Sequence, residues 1–161
     1  MVSSQLYPDC QLVKDEFGKP FLTNSTTQIN YSHTKNLLFW GQHPQFRIGV
    51  DIESVREQIA KIKGKFCNPS ELDLANNGED LALLTLILSA KESLYKAYGR
   101  KEVDFKEHML IRLHPSLPNT LIGQLNLPHF QTETLIEYRW HENNVLTWTT
   151  LEENSIFEIP S

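Results

Sequence analysis

Hydrophobic and polar positions along this chain follow two rhythms. Over residues 46–53 the period is two. Ile48, Val50 and Ile52 point one way and Gly49, Asp51 and Glu53 the other, which predicts a strand with a carboxylate-bearing face. From Glu79 to Tyr98 the period is helical, with Leu83, Leu84, Ile87, Leu88, Ala90, Leu94 and Ala97 recurring, Asn77-Gly78 ahead of them and Gly99 as terminator. The apolar run Leu81 to Ala90 is about half the length that crosses a bilayer, so it reads as a buried helix that leaves the core where Lys91 and Glu92 begin. A shorter helix is expected from Ser54 to Lys65, striped by Val55, Ile59, Ile62 and Phe66, and Asn68-Pro69-Ser70-Glu71 reads as a cap opening another. Further strands are expected around Gln28 to Tyr31 and at Phe105 to Leu113, Leu121 to Leu127, Leu135 to Trp140 and Val145 to Leu151. The last two flank His141-Glu142-Asn143-Asn144, whose asparagines tolerate positive φ in a tight hairpin turn. Strands and helices do not alternate strictly, so the fold class is α+β.

Composition narrows the function classes. At 161 residues with 40% hydrophobic and 22% charged positions, the chain suits one core, or two small lobes sharing one. Lysine and arginine number 15 against 20 acids, a net charge of -5, so no overall field draws nucleic acid or an anionic membrane and any basic site must be local. Cys10 and Cys67 form neither a close pair nor a metal-type cluster, which favours a reducing, cytoplasmic compartment. The start Met1-Val2-Ser3-Ser4-Gln5 has neither the basic leader nor the apolar core of a secretory signal.

Four segments carry candidate chemistry. Asp51 and Glu53 lie two apart on one strand face, with Cβ atoms roughly 7 Å apart, and two like charges at that distance call for a cation. Oxygen ligands alone favour a hard ion such as magnesium, although a solvated strand edge would read the same way. Glu92 and Lys96 stand at i and i+4, either as a surface ion pair or as a third carboxylate and a cation beside the first two acids. Ser32-His33-Thr34 ends a short strand. Without a Gly-x-Ser-x-Gly elbow it is no hydrolase nucleophile, but its hydroxyls and imidazole suit phosphate oxygens. Gly18-Lys19-Pro20 is a turn presenting a cation. His108, His114, His129 and His141 are scattered without ligand spacing.

Taken in order, Gly18-Lys19-Pro20, Asn30-Tyr31-Ser32-His33-Thr34, Gly49-Val50-Asp51-Ile52-Glu53 and Lys91-Glu92-Ser93-Leu94-Tyr95-Lys96 resemble the motifs of the Sfp-type (surfactin-type) 4′-phosphopantetheinyl transferases. The Ser-His segment precedes the Asp strand, as in that branch and unlike the small holo-acyl-carrier-protein synthases. The resemblance implies an antiparallel sheet packed against a long helix. It also implies transfer of the phosphopantetheine arm of coenzyme A to a serine of an acyl or peptidyl carrier protein. Asp51, Glu53 and Glu92 match the family's magnesium-binding acids. Lys19 and Pro20 match its nucleotide turn, Ser32 and His33 its phosphate-contacting pair, and Lys96 its pyrophosphate lysine. Glu92 is the implied base, with Glu53 second. Leu88 stands where the family usually has tryptophan. Only seventeen residues precede the Gly-Lys-Pro turn, so residues 1–47 read as the remnant of a first lobe and 48–161 as the main lobe. That shortening leaves two further expectations: self-association over an uncovered sheet edge or apolar patch, and, as the alternative function, a non-catalytic module that binds coenzyme A or a carrier protein.

Overall fold

A computed structural model describes residues 8–152 and the strand Phe157–Glu158; Met1–Gln5, read above as leaderless, lies outside the described residues. The chain opens with two antiparallel ribbons, β1 (Leu12–Lys14) with β2 (Pro20–Leu22) and β3 (Gln28–His33) with β4 (Leu38–His43). Strand β5 (Arg47–Ser54) follows, then helices α1 (Glu57–Phe66), α2 (Pro69–Leu74), α3 (Leu81–Tyr98) and α4 (Phe105–His108). Strands β6 (Met109–Leu113), β7 (Thr120–Leu127), β8 (Phe130–His141), β9 (Asn144–Leu151) and β10 (Phe157–Glu158) complete the order. The main sheet is antiparallel and runs β5-β9-β8-β7-β6, with β10 paired to β8. This is the α+β architecture expected, with α3 laid across β5, β9 and β7.

Helix α3 is buried on nearly every side, from Leu84 through Lys91 and again at Ser93, Leu94, Ala97 and Tyr98. Its apolar residues meet Leu121, Leu125, Ile136 and Val145 of the sheet. Asp80 accepts from the Leu83 amide, so it is the N-cap and the helix begins at Leu81 rather than Glu79. Gly99 ends it in the left-handed region at φ 70. Leu88, standing where tryptophan was expected, is buried against the core.

Several local expectations are corrected. Ser54 belongs to β5, so α1 starts at Glu57. The stretch Phe105 to Leu113 is a helical turn followed by a strand, because the Asp104 carboxylate caps the amides of Lys106 and Glu107. In the β8–β9 turn the left-handed residue is Glu142 (φ 53) rather than an asparagine. Helix α3 does not leave the core at Lys91. That side chain is fully buried, and its ammonium bonds Glu71 Oε1 at 2.6 Å and the carbonyls of Phe66, Phe105 and Met109. The opening of α2 is as expected, a reciprocal capping box between Asn68 and Glu71.

Both cysteines are free thiols, and burial pushes the Cys67 thiol up to about 12, which makes it inert. Among the described residues no helix is long and apolar enough to cross a membrane.

Candidate active site

Strand β5 is the edge of the main sheet, and in an antiparallel pair every second residue turns its backbone groups away from the partner strand. On β5 those outward groups belong to Ile48, Val50 and Ile52, and side chains satisfy them. Lys19 donates to the Ile48 carbonyl at 3.0 Å. Asn30 accepts from the Val50 amide at 2.9 Å, and Ser32 from the Ile52 amide at 3.2 Å. Lys96 donates to the Val50 carbonyl at 3.1 Å. The four sequence segments therefore converge because one of them is this strand and the other three stitch Lys19, Asn30 and Ser32, and Lys96 to its edge. The uncovered edge expected to drive self-association is not found at β5.

The side chains of β5 alternate as anticipated, but neither face is solvated. Ile48 and Val50 pack against Gly41 of β4, and Gly49 faces α3 so closely that a Cβ there would collide with the Ser93 carbonyl and Ala97. That approach brings Asp51 and Glu53 against the helical face carrying Glu92 and Lys96. Asp51 is 4% exposed. Its Oδ1 receives Lys96 Nζ at 3.1 Å and Ser32 Oγ at 3.4 Å, while its Oδ2 is buried without a hydrogen-bond partner. Lys96 thus pairs with Asp51, not with Glu92 as the simple surface pairing would have it. Glu53 lies 3.7 Å from the Arg56 guanidinium.

The electrostatics record the crowding. Burial, and then repulsion from Asp51 and Glu53, push the Glu92 carboxyl up to about 7, with Lys96 opposing. Burial and the Asp51 charge raise Glu53, and burial raises Asp51 against the pull of Lys96. Among the described residues no group of three His, Cys, Asp or Glu side chains is gathered tightly enough to hold a metal ion as it stands. The donor chemistry nonetheless fits a hard cation. The acids offer only oxygens, and one of them, Asp51 Oδ2, is buried and unpartnered.

Lys96 also lines a pocket of about 210 Å³, together with the cations Lys14, Lys19 and Arg100 and the aromatic rings of Phe17, Tyr31 and Tyr95. The β1–β2 turn builds one wall. Asp15 Oδ1 accepts from the amides of Phe17 and Lys19, and Gly18 takes φ 83. Lys19 is folded inward onto the Lys96 carbonyl at 2.8 Å, against Gly99, where a Cβ would strike its stem. Burial, aided by the charge of Arg47, holds Lys19 down at about 8. Such a lysine gains most from an incoming anion.

Of the expected site residues, Lys19, Pro20 and Lys96 line this pocket, and Ser32, Asp51 and Lys96 meet at the β5 edge. Glu53 and Glu92 lie within electrostatic reach of Asp51. His33 is not brought in: it is exposed at the end of β3 and follows Ser32 on a strand, where successive side chains take opposite faces. Sequence reasoning assigned no role to Asn30, though it shares the Ser32 face two residues away, nor to Lys14 and Arg100, which come in only through the fold.

A family model described as the 4′-phosphopantetheinyl transferase superfamily matches residues 47–149. The match takes in Asp51, Glu53, Glu92 and Lys96 and begins after the ribbons that carry Lys19 and Ser32. No curated relative matches the chain. With the model covering well over half of the sequence, the chain belongs to the 4′-phosphopantetheinyl transferase superfamily.

Proposed function

We propose that the chain is a surfactin-type transferase that moves the 4′-phosphopantetheine arm of coenzyme A onto a serine of an acyl or peptidyl carrier protein, with magnesium at the acids. The observation that carries this reading is that a carboxylate cluster and a cationic pocket share one wall, with Lys96 belonging to both. The pocket fits the nucleotide end of coenzyme A, with Lys19, Pro20 and Tyr31 along it and the cations toward its phosphates. Asp51, Glu53 and Glu92 would hold the ion, which when bound neutralises charge on the pyrophosphate.

The chain's own residues account for the remaining steps. Lys96 offers an ammonium to the leaving pyrophosphate oxygen. Ser32 holds Asp51 and the β5 edge in place. The carrier hydroxyl attacks phosphorus, the bond to adenosine 3′,5′-bisphosphate breaks, and the hydroxyl proton passes to a carboxylate. Glu92 is the base this reading favours, since it stands with Asp51 and Glu53 beside Lys96, and Glu53 is the second choice. The free thiols fit a reducing, cytoplasmic setting.

The test is to incubate the purified protein with an apo carrier protein, coenzyme A and magnesium and to weigh the carrier. A gain of one phosphopantetheine, lost in Asp51→Ala and in Glu92→Ala by at least about a hundredfold in rate, is expected. Coenzyme A binding with no mass gain on acyl or peptidyl carriers would point instead to the non-catalytic binding module.

A further inference from the structure

Lys96 faces two sites from one position on α3. Its ammonium is 3.1 Å from Asp51 Oδ1, with the Asp51 side chain 6% exposed and that of Lys96 27% exposed. The same side chain lines the cationic pocket beside Lys14, Lys19 and Arg100. A monovalent cation on a buried carboxylate satisfies one oxygen and leaves the other, Oδ2, without a partner. A divalent ion approaching that carboxylate meets the ammonium as a like charge, and an anion entering the pocket meets it as an opposite one. The lysine stem is long and flexible enough to serve either place.

We propose that Lys96 is a tethered counter-ion that competes with the divalent ion for Asp51 and is drawn off it when an anion enters the cationic pocket. The inference rests on the acid cluster being the divalent site. It makes metal and anion binding mutually reinforcing through one side chain, and by linkage the reinforcement is reciprocal. The lysine also guards the buried carboxylate while neither ligand is present, since an uncompensated buried charge is strongly unfavourable.

The test uses manganese(II) alone, titrated into the full chain and followed by calorimetry or by the signal of the free ion. Lys96→Gln removes the competing charge and should bind manganese about tenfold more tightly than wild type. Lys96→Arg keeps the charge in a fork that grips a carboxylate more firmly, and should bind no more tightly than wild type. Sodium sulfate, compared with sodium chloride at equal ionic strength, should tighten manganese binding to wild type and leave Lys96→Gln unmoved. A glutamine variant that binds no better than wild type overturns the proposal, as does wild type indifferent to sulfate. Should the glutamine variant fail to fold, an arginine variant that binds more tightly than wild type overturns it. Asp51→Asn separates the two readings. If it abolishes binding while wild type and Lys96→Gln bind alike, the acid site stands and the competition falls; if binding ignores Asp51→Asn, the acid site falls and the competition with it.

Discussion

Burial and the neighbouring acids push the Glu92 carboxyl up to about 7 from the ordinary 4.5. Between those values the folded protein keeps a proton that the unfolded chain has released, so stability falls as pH rises through that window and levels off above it. Glu53 and Asp51, also raised, add to the same slope. Denaturant midpoints measured from pH 4.5 to 8 should show the decline, and Glu92→Gln should flatten it; a rising or flat wild-type profile contradicts the assignment. Lys19 is shifted in the opposite direction, below its ordinary value. Held at about 8, it loses its proton just above neutrality, so coenzyme A binding should weaken as pH rises past 8 and Lys19→Met should remove that dependence. Asn30 has no charge to titrate. Its 2.9 Å bond to the Val50 amide satisfies an edge group that Ala would leave bare in a buried setting.

At the scale of the elements, the site depends on how closely β5 and α3 approach and on how α3 is held about its own axis. Gly49 permits the approach, since any side chain there meets the α3 backbone at Ser93. The buried Lys91–Glu71 pair ties α3 to α2, and Glu71 Oε2 also accepts from the Ile111 amide at 2.8 Å, which brings in β6. Lys91 precedes Glu92, so the pair holds the helix with Glu92 toward the acids. Lys91→Met alone should destabilise by about 3–5 kcal/mol because it strands a buried carboxylate, and adding Glu71→Gln, which removes the charge and keeps an acceptor oxygen for the neighbouring amides, should recover part of that loss. Equal losses in the single and double variants would show that the pair has no such coupling.

The legibility of these elements divides by range. Asp51 and Glu53 announced their shared face by period two, and α3 its extent by apolar spacing, because both signals are local. The Asp104 cap that turns Phe105–His108 into a helix is equally local, but the apolar pattern from Phe105 to Leu113 by itself reads as strand. The burial of Lys91 and the edge-capping role of Asn30 were not legible. Each depends on a partner about twenty residues away, Glu71 and Val50, brought close only by packing.

Across the whole molecule, a chain of net charge -5 gathers Lys14, Lys19, Lys96 and Arg100 around one pocket and sets acids behind it. The ribbons before β5 supply Lys19, Asn30 and Ser32, and the superfamily match supplies Asp51, Glu53, Glu92 and Lys96, so the site is complete only where the two parts meet. That junction also closes the β5 edge, so the expected self-association would have to use the other edge, β6, or exposed apolar residues such as Leu38 and Trp140.

On this reading the acids and the cationic pocket form one composite site. Thermal melting with coenzyme A, with magnesium, with both and with neither tests it directly. The shift with both should exceed the sum of the separate shifts, and Asp51→Asn should erase the excess. Strictly additive shifts, or an excess that survives Asp51→Asn, would contradict it.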